Sequence, residues 1–324
     1  MTDAANERKP ADTFHVYLAS PRGFCAGVER AIETVKLCLA RYGKPVYVLH
    51  EIVHNKHVIV ELEAAGAVFV ENLQDIPPGE VCIFSAHGVS TSVEESAERL
   101  ALRTVDATCP LVGSVHRMVE KYHDEGCDVI IIGHHGHPEV VGTAGRVHSR
   151  VHIVANEREA REVSVHDREK VAFVTQTTLS KTDISGIIDI LRQRFPSVQG
   201  PKSNICFATQ NRQDAVKQLA ENSELVFVVG SKNSSNSNRL KEVALQCGVE
   251  AQLIDDYRDI VEAWLKGKKR VGITAGASAP ERLVEGVCTW LLDHGAVDVV
   301  ELAGISENIH FKPAELTAGK KSCS

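Results

Sequence analysis

Arg22-Gly23-Phe24-Cys25-Ala26-Gly27, Asp106-Ala107-Thr108-Cys109-Pro110 and Asn204-Ile205-Cys206-Phe207-Ala208-Thr209 divide this 324-residue chain into near-thirds. Apolar residues at helical spacing follow each of them: Val28, Ala31, Ile32, Val35 and Leu39; Val112, Val115, Val119 and Tyr122; Ala215, Val216 and Leu219. Recurrence at i, i+3, i+4 and i+7 makes one apolar helix face, so the spacing predicts a helix starting at each cysteine. An apolar run then reads as a strand and ends in polar residues: 46–49 before His54, 129–132 before His134-His135-Gly136-His137, and 225–229 before Ser234-Ser235-Asn236. A second strand repeats the pattern: 81–84 before Ser85-Ala86-His87-Gly88, 171–174 before Thr175-Gln176-Thr177-Thr178, and 271–274 before Ala275-Gly276-Ala277-Ser278.

Strands alternating with helices predict parallel sheets covered by helices, and ligands of such sheets sit beyond the carboxyl ends of the strands. The expected fold is therefore α/β, with three pseudo-repeated lobes of mostly parallel sheet around a central metal-cluster site. The expected boundaries are 14–109, 110–205 and 206–311, flanked by a polar tail at 1–13 and a second tail at 312–324.

Composition removes several classes. The 36 basic and 43 acidic residues give a net charge of −7, and no Lys/Arg run is dense enough for a nucleic-acid surface. No apolar stretch approaches the roughly 18 residues of a membrane span. The first dozen residues lack a hydrophobic signal core, which predicts a cytoplasmic protein rather than an exported one. Nine cysteines are an odd number without a close-spaced framework, so metal binding or chemistry is expected rather than disulfides. Cys38, Cys82, Cys127, Cys247 and Cys288 lie in or beside apolar runs, where a free thiol packs as a small hydrophobe. Cys323 reads as incidental.

Cys25, Cys109 and Cys206 recur at one place in each repeat and are the candidate metal ligands. Zinc and iron–sulfur clusters both accept thiolates. A structural zinc usually brings a close cysteine pair, absent here; three thiolates on a four-iron cluster leave one iron free for a substrate atom. Spacing alone leaves zinc open. His54, His87 and His137 occupy strand-end positions, with Ser234, Ser235, Asn236 and Ser278 in the third repeat and Thr177 in the second. Imidazoles near a phosphate favour their protonated donor form, hydroxyls and amides add neutral donors, and the set suits a diphosphate. No Walker-type loop is present, which argues against a nucleotide. Glu139 has two readings: a carboxylate favourably placed at a helix start, or a proton donor helped by the hydroxyls of Thr177 and Thr178. Arg22, Lys232 and Arg239 flank these clusters and are expected to steer an anionic substrate. A zinc hydrolase of a phosphorylated metabolite and an iron–sulfur electron carrier or sensor are the rival readings.

With these motifs together, the sequence resembles the 4-hydroxy-3-methylbut-2-enyl diphosphate reductases of the non-mevalonate isoprenoid pathway. The resemblance runs from about His15 to Phe311. It is carried by the segments around Cys25 and Cys109, by Phe84-Ser85-Ala86-His87-Gly88-Val89-Ser90, Gly136-His137-Pro138-Glu139-Val140, Thr175-Gln176-Thr177-Thr178-Leu179-Ser180, the run from Gly230 to Arg239, and Thr274-Ala275-Gly276-Ala277-Ser278-Ala279-Pro280. It implies a trefoil of three lobes around a [4Fe-4S] cluster on Cys25, Cys109 and Cys206, with the substrate's allylic hydroxyl approaching the fourth iron. It also implies a diphosphate held by His54, His87, His137, Ser234, Ser235, Asn236 and Ser278. Glu139 would be the proton donor, with Thr177 placed to relay or hold the hydroxyl. The implied reaction is reductive dehydroxylation to isopentenyl and dimethylallyl diphosphate, with electrons from a donor such as flavodoxin or ferredoxin.

Overall fold

Strand pairing sorts the chain into three sheets, and every ladder among the described residues is parallel. The structure, a computed structural model, describes residues 13–316. Nearly all of the expected N-terminal tail, and Cys323, lie outside the described residues. In chain order the elements begin with β1 (Phe14–Leu18), α1 (Ala26–Tyr42), β2 (Val46–Leu49), α2 (Lys56–Ala65), β3 (Ala67–Val70), β4 (Val81–Phe84), α3 (Thr91–Arg99) and β5 (Arg103–Asp106). Next come α4 (Pro110–Asp124), β6 (Asp128–Ile132), α5 (Pro138–Ala144), β7 (Val151–Val154), α6 (Glu157–Glu162), β8 (Val171–Thr175) and α7 (Lys181–Arg194). The rest are α8 (Phe207–Glu221), β9 (Leu225–Val229), α9 (Ser235–Gln246), β10 (Glu250–Ile254), β11 (Arg270–Ala275), α10 (Glu281–Asp293) and β12 (Ala296–Glu301).

The chain forms two compact units. One comprises residues 25–209 with the chain from 308 onward, and it holds two sheets, β3-β2-β4-β5 and β7-β6-β8. The other comprises the chain through 24 with 210–307, and it holds β10-β9-β11-β1-β12. Sheet membership departs from the contiguous segment expected over 14–109. Strand β1 pairs with β11 and β12, Val16 opposite Val271 and Val299, and so belongs with the strands of the last third. The repeat supplies the reason, because in each case the backbone just before the cysteine closes the preceding sheet. Thus β5 ends the first sheet before Cys109, and Gln199 bridges to Ala172 of β8 before Cys206. Each of Cys25, Cys109 and Cys206 marks the crossing from one sheet to a helix on the next.

The expected helices and strands follow from their patterns. Helix α1 buries Val28, Ala31, Ile32, Val35 and Cys38, and α4 buries Val112, Val115 and Val119. The runs Asp128–Ile132, Val171–Thr175 and Leu225–Val229 are buried at every residue, as strands with both faces covered should be. Two layers of core account for this in the sheet of β6. Ile130, Ile132 and Phe173 pack with Leu191 and Phe195 on one face, while Val129, Ile131 and Val174 pack with Val115 and Val119 on the other. The C-terminal segment is tied down where it is described: Arg30 of α1 donates to the Lys312 carbonyl (2.9 Å) and Ala314 N donates to Thr34 Oγ1 (3.1 Å). No helix among the described residues is long and apolar enough to cross a membrane.

Candidate active site

The three cysteines of the repeat stand at the starts of α1, α4 and α8, and each is a free, half-buried thiol. Burial pushes the Cys109 thiol up to about 11 and the Cys206 thiol up to about 12, and the neighbouring Cys25 adds to both. Three thiols close enough to oppose one another's ionisation need a cation core to become thiolates. A methyl group on Gly27 would lie 2.6 Å from Cys109 Sγ and 3.9 Å from Cys25 Sγ. Only a residue without Cβ leaves the space between those sulfurs open. Among the described residues no three His, Cys, Asp or Glu side chains converge closely enough for a single metal ion. Three thiols around a gap that Gly27 leaves open fit a thiolate-held cluster, in which each thiolate would bind its own iron.

Three strand ends of the same unit bring three histidines together. His54 follows β2, His87 follows β4 and His137 follows β6. The His54 and His87 rings stack at 4.2 Å between centroids, and His137 meets them edge-on at 5.5 Å and 5.9 Å. Burial, then the other imidazoles, holds His87 well below the usual histidine range, and the same causes lower His137 to about 4. His137 caps α5: its Nδ1 accepts from Glu139 N at 3.2 Å. The neutral ring then carries its proton on Nε2, leaving that nitrogen to donate. His54 Nδ1 is oriented by Glu51 at 2.9 Å.

Glu139 is the second residue of that helix and is buried. Its carboxylate accepts from Thr177 N at 2.6 Å and Thr177 Oγ1 at 2.9 Å. Thr177 in turn accepts at its carbonyl from Cys206 N, at 3.1 Å. One residue therefore links the buried carboxyl to Cys206. Burial pushes the Glu139 pKa up against the two Thr177 hydrogen bonds, which oppose the shift. His137, not Glu139, accepts the capping N–H, while Glu139 stands in the first turn of α5, where a carboxylate meets the helix dipole favourably.

The remaining expected residues belong to the other unit. Ser234 Oγ caps α9, accepting from Ser237 N at 3.3 Å and from Ser237 Oγ at 3.1 Å. Ser235 is half-buried and Ser278 is buried. Asn236 is buried with both amide atoms, Oδ1 and Nδ2, lacking a hydrogen-bond partner among the described residues. A buried amide left unpaired at both ends is costly in a native protein, and a polar ligand removes that cost. Arg22 is bound by Glu281 (2.6 Å) and Glu301 (3.2 Å), and Arg239 by Glu242 (2.7 Å).

The comparisons bear on this arrangement directly. The family model described as LytB protein matches residues 16–292. The chain belongs to the LytB protein family. It is 64% identical over 301 residues to the 4-hydroxy-3-methylbut-2-enyl diphosphate reductase of Desulfotalea psychrophila, covering 93% of this chain and 96% of that protein. It is 53% identical over 307 residues to the protein of the same name from Aromatoleum aromaticum, covering 94% and 98%. Among solved structures, the E-1-hydroxy-2-methyl-but-2-enyl-4-diphosphate reductase from Plasmodium falciparum superposes with a TM-score of 0.88 at 37% identity, over 93% of this chain and 96% of that one. A structure of (E)-4-hydroxy-3-methyl-but-2-enyl diphosphate reductase gives a TM-score of 0.63 at 30% identity, over 86% and 99%. This LytB chain is accordingly an oxidoreductase with the α/β fold of those structures.

Several supporting residues of the LytB chain escaped the sequence reading. Thr209 lies in the first turn of α8, with Oγ1 3.0 Å and N 3.3 Å from Cys206 Sγ, both positioned to donate to a thiolate. Its offset of three from the cysteine is the ordinary capping offset, a signal that was legible. Gln176 Oε1 accepts from His134 N at 3.0 Å and fixes the loop leading to His137. His116 of α4 is buried against Gly88, where an added methyl would meet its Cε1 at 2.5 Å, and burial lowers it to about 4. Only tertiary contacts reveal that His116 supports the turn carrying His87.

Proposed function

We propose that this chain reduces (E)-4-hydroxy-3-methylbut-2-enyl diphosphate to isopentenyl and dimethylallyl diphosphate, with a [4Fe-4S] cluster on Cys25, Cys109 and Cys206. The observation that carries the reading is the Glu139–Thr177–Cys206 linkage beside three packed imidazoles. When bound, the cluster would supply two electrons and a Lewis-acidic iron for loss of the hydroxyl group. Glu139 would give the departing hydroxyl its proton, with Thr177 Oγ1 holding that hydroxyl or relaying the proton from Glu139. His54, His87 and His137 would hold diphosphate oxygens, His137 through Nε2–H. The resemblance assigns Ser234, Ser235, Asn236 and Ser278 to the same diphosphate, and the unpaired amide of Asn236 supports that assignment. Binding energy from the non-reacting diphosphate would orient the carbinol. Electrons would come from an external donor such as flavodoxin or ferredoxin, in the cytoplasm.

Anaerobic purification followed by iron and sulfide analysis, and turnover with a chemically reduced dye, tests this reading. A brown protein with both elements and both isoprenoid products is expected. A colourless, zinc-loaded protein that hydrolyses the diphosphate would replace the reductase with its rival. Gly27→Ala sharpens the test. Alanine is the better helix former, yet its methyl would lie 2.6 Å from Cys109 Sγ. The expected result is a folded protein with a normal helical spectrum and markedly less iron per chain. Full iron content in this variant would show that the sulfurs can move apart and that the contact does not shape the site.

A further inference from the structure

We infer that Arg30 is a positioning residue for the cluster ligand Cys109, and that the C-terminal segment at Lys312 is part of the same clamp. This rests on the cluster reading above. Arg30 stands on α1, the helix that starts at Cys25. Its guanidinium donates through Nη1 to the Thr108 carbonyl at 2.9 Å and through Nη2 to the Asp106 carbonyl at 3.3 Å. Those two carbonyls lie immediately before Cys109. The third arm, Nε, donates to the Lys312 carbonyl at 2.9 Å.

The acceptors are held for this purpose. Asp106 Oδ1 accepts from Thr108 N at 2.9 Å and from the Thr108 hydroxyl, closing a turn before the ligand. Cys109 N is fixed on the Ala86 carbonyl at 3.0 Å. One turn along α1, Thr34 Oγ1 donates to the Arg30 carbonyl at 2.7 Å and accepts from Ala314 N at 3.1 Å. The C-terminal segment thus meets α1 at two points, one of them Arg30 itself. Among the described residues no carboxylate lies within ion-pair distance of Arg30, so all of its hydrogen bonding is directed at backbone carbonyls.

The same device recurs at another ligand. Arg212 on α8, the helix that starts after Cys206, donates to the carbonyls of Gly23 and Phe24, both at 3.0 Å, just before Cys25. At the third ligand a softer contact takes its place: Asn204 Nδ2, two residues before Cys206, donates to Met118 Sδ of α4 at 3.3 Å. In each case the segment leading into one cysteine is tied to the helix that begins at another. A planar fork with several donors in fixed directions does this better than a point charge. Outer partners of metal ligands commonly carry about 10- to 100-fold of metal affinity.

The test uses the anaerobically purified holoenzyme and follows loss of the iron–sulfur chromophore in excess chelator. Arg30→Met and Arg30→Lys are both expected to lose it about 10-fold faster than wild type or more, because lysine cannot reach three carbonyls. The electron paramagnetic resonance spectrum of the cluster is expected to shift or broaden in both. Thr34→Val removes only one anchor of the C-terminal segment, is nearly isosteric, and is expected to give a smaller acceleration in the same direction. Arg146→Met is the structural control: Arg146 binds Glu94 and Glu120, both at 2.8 Å, within the same unit. It should lower the melting temperature and leave the resonance spectrum unchanged. The inference is overturned if Arg30→Met keeps the wild-type chromophore lifetime and spectrum, or if Arg146→Met matches it in both. A wild-type protein without iron and sulfide would instead sink the cluster reading itself.

Discussion

Cys109→Ser is expected to purify without the iron–sulfur chromophore and without reductase turnover, while Cys247→Ser keeps both. The serine hydroxyl is a hard, weakly acidic oxygen where iron prefers a soft thiolate. Local geometry gives it no compensation. Cys109 opens α4 with Pro110 at the first helical position, its side chain makes no cap hydrogen bond, and Gly27 leaves its sulfur room on the Cys25 side. Serine is a favoured N-cap, so at this position the substitution removes the proposed ligand without weakening the start of α4. Cys38→Ser separates ligation from folding. Its thiol is fully buried in the apolar face of α1, and burial raises it to about 11. A hydroxyl there costs stability because it enters a site built for an apolar group. A lower melting temperature with an intact chromophore is expected. Iron and sulfide per chain, measured beside the visible spectrum, check all three variants, and full cluster content in Cys109→Ser would remove it from the ligand set.

The order of elements was legible because the deciding signals are local. A cysteine before an apolar stripe at helical spacing, and a β-rich run before a polar turn, each need only a dozen residues. Placing β1 was not local. Phe14–Leu18 reads as the opening of the first repeat, yet its ladders are to β11 and β12, some 250 residues on in the chain, and strand pairing across that distance leaves no mark in the strand itself. The site divides in the same way. His54, His87 and His137 were recognisable as equivalent strand ends, and the structure packs their rings together. Arg30, Arg212 and Gly27, which lie against the segments of Cys25 and Cys109, had no individual sequence signal. Their partners are backbone carbonyls, the Glu307 carboxylate and a sulfur, all from distant segments. Arg22, expected to steer an anion, is ion-paired with Glu281 and Glu301, partners that only the fold brings to it.

Glu139→Gln is expected to lower kcat by about 10²- to 10⁴-fold, the usual contribution of a general acid, with cluster content and diphosphate affinity little changed. The amide keeps the contacts of the carboxyl: its oxygen can accept from Thr177 N, and its NH₂ can donate to Thr177 Oγ1 in place of a protonated Oε2. What it lacks is a proton to give. Burial already moves Glu139 upward from the ordinary carboxylate range, toward the form that carries that proton at neutral pH. The carboxyl touches Thr177, and Thr177 touches Cys206 only through its backbone, so the substitution leaves the ligand loop intact. A purely structural carboxylate predicts the opposite pattern. Losing a helix-terminal or buried hydrogen bond would cost about 1 kcal/mol of stability and leave turnover near normal. Measuring kcat, KM, iron content and melting temperature on one preparation separates the two. The proton-donor role fails if kcat stays within a few-fold of wild type while the melting temperature falls.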